Sequence, residues 1–283
     1  MSAGWQLLGA FPPARFAAAR EQAHWAVQVL SAAGETFAPH VSDTSHTAMH
    51  WDAALAALVG RPLGGARLAL RPADLALLAI GQGSRPEAGW ALAGRTLAEA
   101  LAWAARVLAR EGRGERALVR PDYELPPHPI ATGGRFERAP GLDELARWYA
   151  NADAELRRLA GGTPGAGEVL CWPHHFDIAS LVTLEADAAG EALRSVGVGL
   201  SPGDELVPEP YWYVNHDPQG EGEELPALAA GEWLRDGAWT GAVLRGGELV
   251  AAGGAASQQR RLAAFLASAV PASRALALAG PPS

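Results

Sequence analysis

The sequence contains no lysine, and all 23 of its basic residues are arginines. That absence excludes an internal Schiff base, a pyridoxal-phosphate anchor, a Walker-type phosphate lysine and a Ser-Lys dyad. It also fits the Ala-, Gly-, Arg- and Pro-rich usage of a GC-rich genome. A single cysteine, Cys171, excludes an intramolecular disulfide and any zinc site built from several thiolates. A metal, if held, must be held mainly by His, Asp and Glu. No apolar run approaches the roughly 20 residues that span a bilayer, and Met1 to Phe16 lacks a basic segment followed by an apolar stretch. The expectation is a cytoplasmic protein with no membrane partner.

Positive charge is scarce where a nucleic-acid binder would need it. Residues 1–139 hold 14 Arg against 12 acids, a balance of +2, and residues 140–283 hold 9 Arg against 19 acids, a balance of −10. An acidic second half without a basic stripe argues against nucleic acid as the main partner. With 283 residues, 49% of them hydrophobic, the chain can bury one large core or two smaller ones.

Periodicity orders the two halves alike. Residues 14–34 place Phe16, Ala23 and Leu30 in heptad register, beside Trp25 and Val29, as an amphipathic helix. Residues 43–52 alternate like a strand and are followed by apolar runs at 66–70 and 75–80. Thr96 and Glu99 form a capping-box signature that opens a helix to about residue 111. In the second half, residues 142–160 read as helix and 169–184 as a strand. Extended runs follow at 193–200, 211–215 and 239–244, then a closing helix at 257–270. Two landmarks recur: His50-Trp51-Asp52 matches His175-Phe176-Asp177, and Leu70-x-Pro72-x-Asp74 matches Leu200-x-Pro202-x-Asp204. The fold expected is α+β, a duplicated helix-strands-helix unit with mainly antiparallel sheets related by a pseudo-twofold. Its boundaries are a first repeat at 1–111, a Pro/Gly-rich crossover at 112–141, a second repeat at 142–270 and a mobile tail at 271–283.

The chemistry concentrates in Trp172-Pro173-His174-His175-Phe176-Asp177. Strand alternation would put His175 and Asp177 on one face with Thr183, and Trp172, His174 and Phe176 on the other. In the first half, His46, Ala48, His50 and Asp52 would share a face. An imidazole oriented by a carboxylate is a general base poised near neutral pH, which makes His175 and Asp177 the catalytic candidates. Several imidazoles with a carboxylate also bind zinc, iron or manganese, with His50, His175 and His216 as ligands and His46 and Asp52 as further donors. The competing reading is that each His-Asp pair is a satisfied structural pair that fixes strand register. The stretch Pro208 to His216 places Glu209, Tyr211 and Trp212, with His174, as candidates to line a small-molecule pocket, or alternatively as a core strand. His24 falls on a polar helical stripe with Glu21, Gln28 and Ser31 that reads as solvent-facing, while His40 and His128 sit in loops.

Two motifs are decoys. Gly199-Leu200-Ser201-Pro202-Gly203 matches a nucleophile elbow, but Pro202 has no amide hydrogen to give an oxyanion, and no helix pattern follows. Ser201 is expected in a turn shaped by Asp204. Gly81-Gln82-Gly83 lacks the strand-to-helix context of a dinucleotide fingerprint, so no nucleotide cofactor is expected.

At these residues the chain resembles an uncharacterised bacterial family, a domain of unknown function with a Trp-Pro-His-His-Phe-Asp motif. The likeness extends to Gly203-Asp204, Pro208 to Tyr211, Tyr213-Val214 and Trp239-Thr240-Gly241-Ala242. It implies no mechanism, because the family has no established activity. Where this chain has Ser45-His46-Thr47 and His50, relatives carry other arrangements, which favours His175 over His50. The function expected is an enzyme acting on a small molecule through a His/Asp cluster, with metal-assisted or hydrolytic chemistry. The alternative is a non-catalytic small-molecule-binding protein with structural His-Asp pairs.

Overall fold

A computed structural model of the chain describes residues 4–279 except 82, 84, 221, 223 and 238. The fold is α+β, with five α-helices and eleven strands among the described residues. The chain divides into two compact units. One comprises Ala17–Ala146 and Leu170–Phe176; the other comprises the chain up to Phe16, Arg147–Val169 and the chain from Asp177 onward.

The first unit opens with helix α1 (Ala17–Phe37), in which every residue from Gln22 to Gly34 is buried. Strands β1 (Met49–Asp52), β2 (Ala57–Gly60), β3 (Arg67–Arg71), β4 (Ala76–Ile80) and β5 (Pro86–Ala91) then form an antiparallel meander. Both faces of β2 and β4 are buried, so their sequences are apolar without alternation. That is why β2 escapes a period-2 reading. Ala57, Val59, Ala69, Leu78 and Ile80 form one core cluster, and α1 packs on β2 and β3. Helix α2 (Leu97–Leu108) begins with the capping box expected: Thr96 accepts from the Glu99 amide at 3.2 Å, and Glu99 accepts from the Thr96 amide at 2.8 Å.

The stretch 112–141 is an ordered part of this unit. Phe136 is buried, and its backbone exchanges hydrogen bonds with Gly94 and Arg95. The unit is completed from far along the chain by β6 (Leu170–Trp172), which pairs antiparallel with β1 at Met49↔Cys171. The structural division therefore differs from boundaries at 111, 141 and 270. It is interleaved, because strand pairing recruits a segment that sequence order assigns to the other half.

In the second unit, β7 (Asp177–Ala186), β8 (Ala192–Ser201), β9 (Tyr211–Asp217), β10 (Glu232–Asp236) and β11 (Trp239–Arg245) pair antiparallel in the order β10-β11-β9-β8-β7. The unit also holds most of α3 (Leu142–Gly161), the short α4 (Gly246–Ala251) and the long α5 (Ala255–Ala279). Helix α5 packs on β8, β9 and β11. It corrects the tail expected from residue 271: the helix runs on through Pro271 to Ala279. Buried Ala272, Ser273 and Ala277 anchor its last turns and offset the hydrogen bond that proline cannot make. By length and composition α5 alone among the described helices could cross a membrane, with a third of its most apolar window buried.

Candidate functional site

The motif segment folds as a tight turn. Trp172 closes β6, Asp177 opens β7, and Pro173 to Phe176 form a four-residue turn. His174 and His175 are thus turn residues, and the strand alternation expected through this segment does not apply to them. Phe176 lies in the left-handed region at φ 57°, a conformation that costs a side-chain-bearing residue about 1–2 kcal/mol. It is held there by complete burial and by stacking on His24, with ring centroids 5.2 Å apart and planes 8° from parallel.

A second clamp acts on the Pro173 carbonyl. It accepts from the Gln28 side-chain amide at 2.8 Å and lies 2.9 Å from Nε2 of His24. The Gln28 carbonyl oxygen in turn accepts from the Tyr123 hydroxyl at 2.6 Å, and Ser31 Oγ lies 3.0 Å from that hydroxyl. Gln28, Ser31 and His24 come from one stripe of α1 and are buried. The helical period found the stripe, but its exposure to solvent is corrected: the turn and the Tyr123 segment cover it. Burial pushes the Tyr123 hydroxyl up to about 12, against the opposing hydrogen bond from Ser31 and the charge of Arg120. Burial also pulls the His24 imidazole down to about 4, opposed by its bond to Pro173 and helped by Arg20, His175 and His174.

What this framework presents is a histidine pair. The rings of His174 and His175 lie 4.5 Å apart. His174 is half-buried, edge-on to Tyr123 at 5.8 Å and to Trp172 at 6.1 Å, whereas His175 is exposed. Burial first, then the neighbouring His175, lowers the His174 imidazole to about 4, so it is neutral at physiological pH. A neutral ring offers a lone pair to a donor or a metal.

The remaining candidates lie elsewhere. Asp177, at the start of β7, is buried and accepts from the Tyr213 hydroxyl at 2.5 Å. Burial, and then the adjacent Asp177 charge, drives the Tyr213 hydroxyl well above its ordinary range. The Tyr213 ring has room because its cross-strand partner is Gly199, where a Cβ would sit 2.6 Å from the ring. Tyr211 donates to Asp204, and burial together with that carboxylate raises its hydroxyl in the same way. Asp204 also accepts from the Val207 amide at 2.8 Å, and Ser201 from the Gly203 amide at 3.1 Å, as turn residues do. Glu209 accepts from the Gly247 amide at 2.6 Å, which spends its carboxylate on the N-terminus of α4. Trp212 and His216 are buried on the face of β9 opposite Tyr213, among core residues. His50 is half-buried opposite Val59, and Asp52 accepts from the Ala54 and Leu55 amides at the tip of the β1–β2 hairpin.

Metal-ligating geometry gathers a set other than His50, His175 and His216. Among the described residues, one trio of His, Cys, Asp or Glu side chains has its ligand atoms all within 4.8 Å of one another: Glu35, His40 and His46. His46 lies in a 3-10 turn rather than on the strand expected at 43–52. Gly34 lets that turn close on α1, since a Cβ there would meet the His46 carbonyl oxygen at 2.4 Å. The sequence signal for Glu35 and His40 was only their spacing at a helix end, Glu35-x4-His40-x5-His46.

Comparison with protein families, with characterised proteins and with solved structures finds no match for this chain. The motif likeness rests on the residues quoted for it.

Proposed function

We propose that the Pro173–Phe176 turn is the working part of a site for a small molecule, with His175 as general base and His174 as its neutral, orienting partner. The observation that carries this reading is the over-determination of the turn. A left-handed Phe176 is a costly way to close a tight turn, and its burial together with the doubly held Pro173 carbonyl fixes it there; residues kept in such conformations cluster where a geometry is used. Asp177 is not assigned the orienting role, because its carboxylate is engaged by Tyr213. Hydrolytic or other acid–base chemistry on a small, uncharged or cationic substrate fits a histidine pair in an acidic, lysine-free protein.

A second reading, a non-catalytic small-molecule-binding protein, is favoured by one observation. His174, titrating near 4, is a better acceptor than proton carrier. Turnover separates the two. In a panel of neutral and cationic esters and amides, the enzyme reading expects activity that His175→Ala abolishes without lowering the melting temperature, since the side chain is exposed. Binding unaccompanied by turnover supports the second reading, and activity unchanged in His175→Ala sinks the first.

A duplicated origin belongs to the same proposal. The segments that follow β1 and β6 are both four-residue turns whose last residue is left-handed, Ala56 at φ 48° and Phe176 at φ 57°. The Leu-x-Pro-x-Asp landmarks begin at equivalent places, near the ends of β3 and β8.

A further inference from the structure

We propose that Glu35, His40 and His46 form a zinc site with three protein ligands and a fourth position open to water, distinct from the histidine turn. The geometry is close to what the ion requires. With zinc–ligand bonds of 2.0–2.1 Å, tetrahedral ligands lie about 3.3 Å from one another. His46 Nε2 lies 3.0 Å from Glu35 Oε2, and His40 Nε2 lies 3.6 Å from Glu35 Oε1. The two imidazoles stack with centroids 4.6 Å apart, and each brings Nε2 to the Glu35 carboxylate.

The electrostatics favour a cation. Glu35 brings its carboxylate to the last turn of α1, a turn with no basic residue of its own, while Arg113 reaches the helix end by donating to the Phe37 carbonyl at 3.3 Å. His40 Nε2 donates to the Glu35 backbone carbonyl at 3.0 Å, which holds the ring beside the carboxylate; zinc takes the place of that bond, the ring proton passing to Nδ1. Burial is graded as an open site needs: His46 is buried, Glu35 half-buried, and the His40 side chain 63% exposed. Solvent thus reaches the outward position. The Val41 amide approaches Nδ1 of His46 at 3.5 Å, which leaves the ring proton on Nε2, shared with Glu35. Metal capture moves that proton to Nδ1 and opens this long contact.

The donor set of two imidazoles and one carboxylate suits zinc over magnesium or calcium, which prefer all-oxygen shells. The site does not depend on the proposed role of His175, and the experiment keeps the two apart. Chelator-stripped protein is titrated with zinc chloride by calorimetry, and with cobalt chloride by visible absorption, in wild type, Glu35→Gln, His40→Ala and His175→Ala. The expected result is one zinc per chain and the absorption of four-coordinate cobalt. Affinity should fall at least tenfold in Glu35→Gln and His40→Ala and be unchanged in His175→Ala. His40→Ala removes an exposed side chain and so reports on the ligand rather than on folding. No uptake at millimolar zinc, wild-type affinity in both ligand variants, or loss in His175→Ala in their place would overturn the proposal.

Discussion

At the scale of single residues, His24 carries the clearest pH signature. Its neutral form is favoured by the fold, with a folded pKa near 4 against an ordinary 6.5. The associated stability is therefore complete above pH 6.5 and is lost as pH falls toward 4, by roughly 3 kcal/mol in total. His174 adds a loss of the same sign. We expect the urea midpoint of the wild type to fall between pH 6.5 and 4, and to fall distinctly less in His24→Gln; equal slopes in the two proteins would contradict this. Tyr123→Phe deprives the buried Gln28 carbonyl of its donor and should cost about 1–3 kcal/mol in equilibrium unfolding. Sequence reading located the polar stripe of His24, Gln28 and Ser31 but placed it in solvent. Helical spacing tells which residues share a face, whereas the cover, Tyr123 and Pro173, comes from about 90 to 150 positions away.

Elements were legible in proportion to how locally they are specified. The capping box at Thr96 and Glu99 is a short-range device and was readable to the residue. So were the cores of β3, β4, β8, β9 and β11, which begin or end at turns. Strand β2, buried on both faces, and the β5 and β10 edge strands lack a clean alternation and were missed. The sequence pattern predicts a strand across the histidine turn because nothing in Pro-His-His-Phe announces a left-handed Phe176, which tertiary packing enforces. Two substitutions test the element account. Gly199→Ala drives a Cβ into the Tyr213 ring and should cost about 1–3 kcal/mol, with the Tyr213–Asp177 bond weakened. Glu209→Ala should remove the cap from α4 at a cost of about 1 kcal/mol and leave ligand binding unchanged, which contradicts any pocket role for Glu209.

For the whole molecule, the α+β class followed from element order, but the partition of the chain did not. Sequence order suggests a cut near residue 141, yet strand β6 and the histidine turn belong with α1 and the first meander. A fragment ending at residue 146 would lose the strand that pairs with β1 and the carbonyl that His24 and Gln28 hold. Amide exchange in that fragment should be fast in β1 and α1; protection equal to that of the intact chain would contradict the interleaved division. The central claim is that the locked turn offers His174 and His175 to a small molecule. Its most direct test is a fragment screen observed through histidine ring resonances by NMR, in wild type and His175→Ala. The account predicts compounds that shift both His174 and His175 in the wild type and bind no longer in the variant. Fragments that bind elsewhere while both rings stay unperturbed would contradict it.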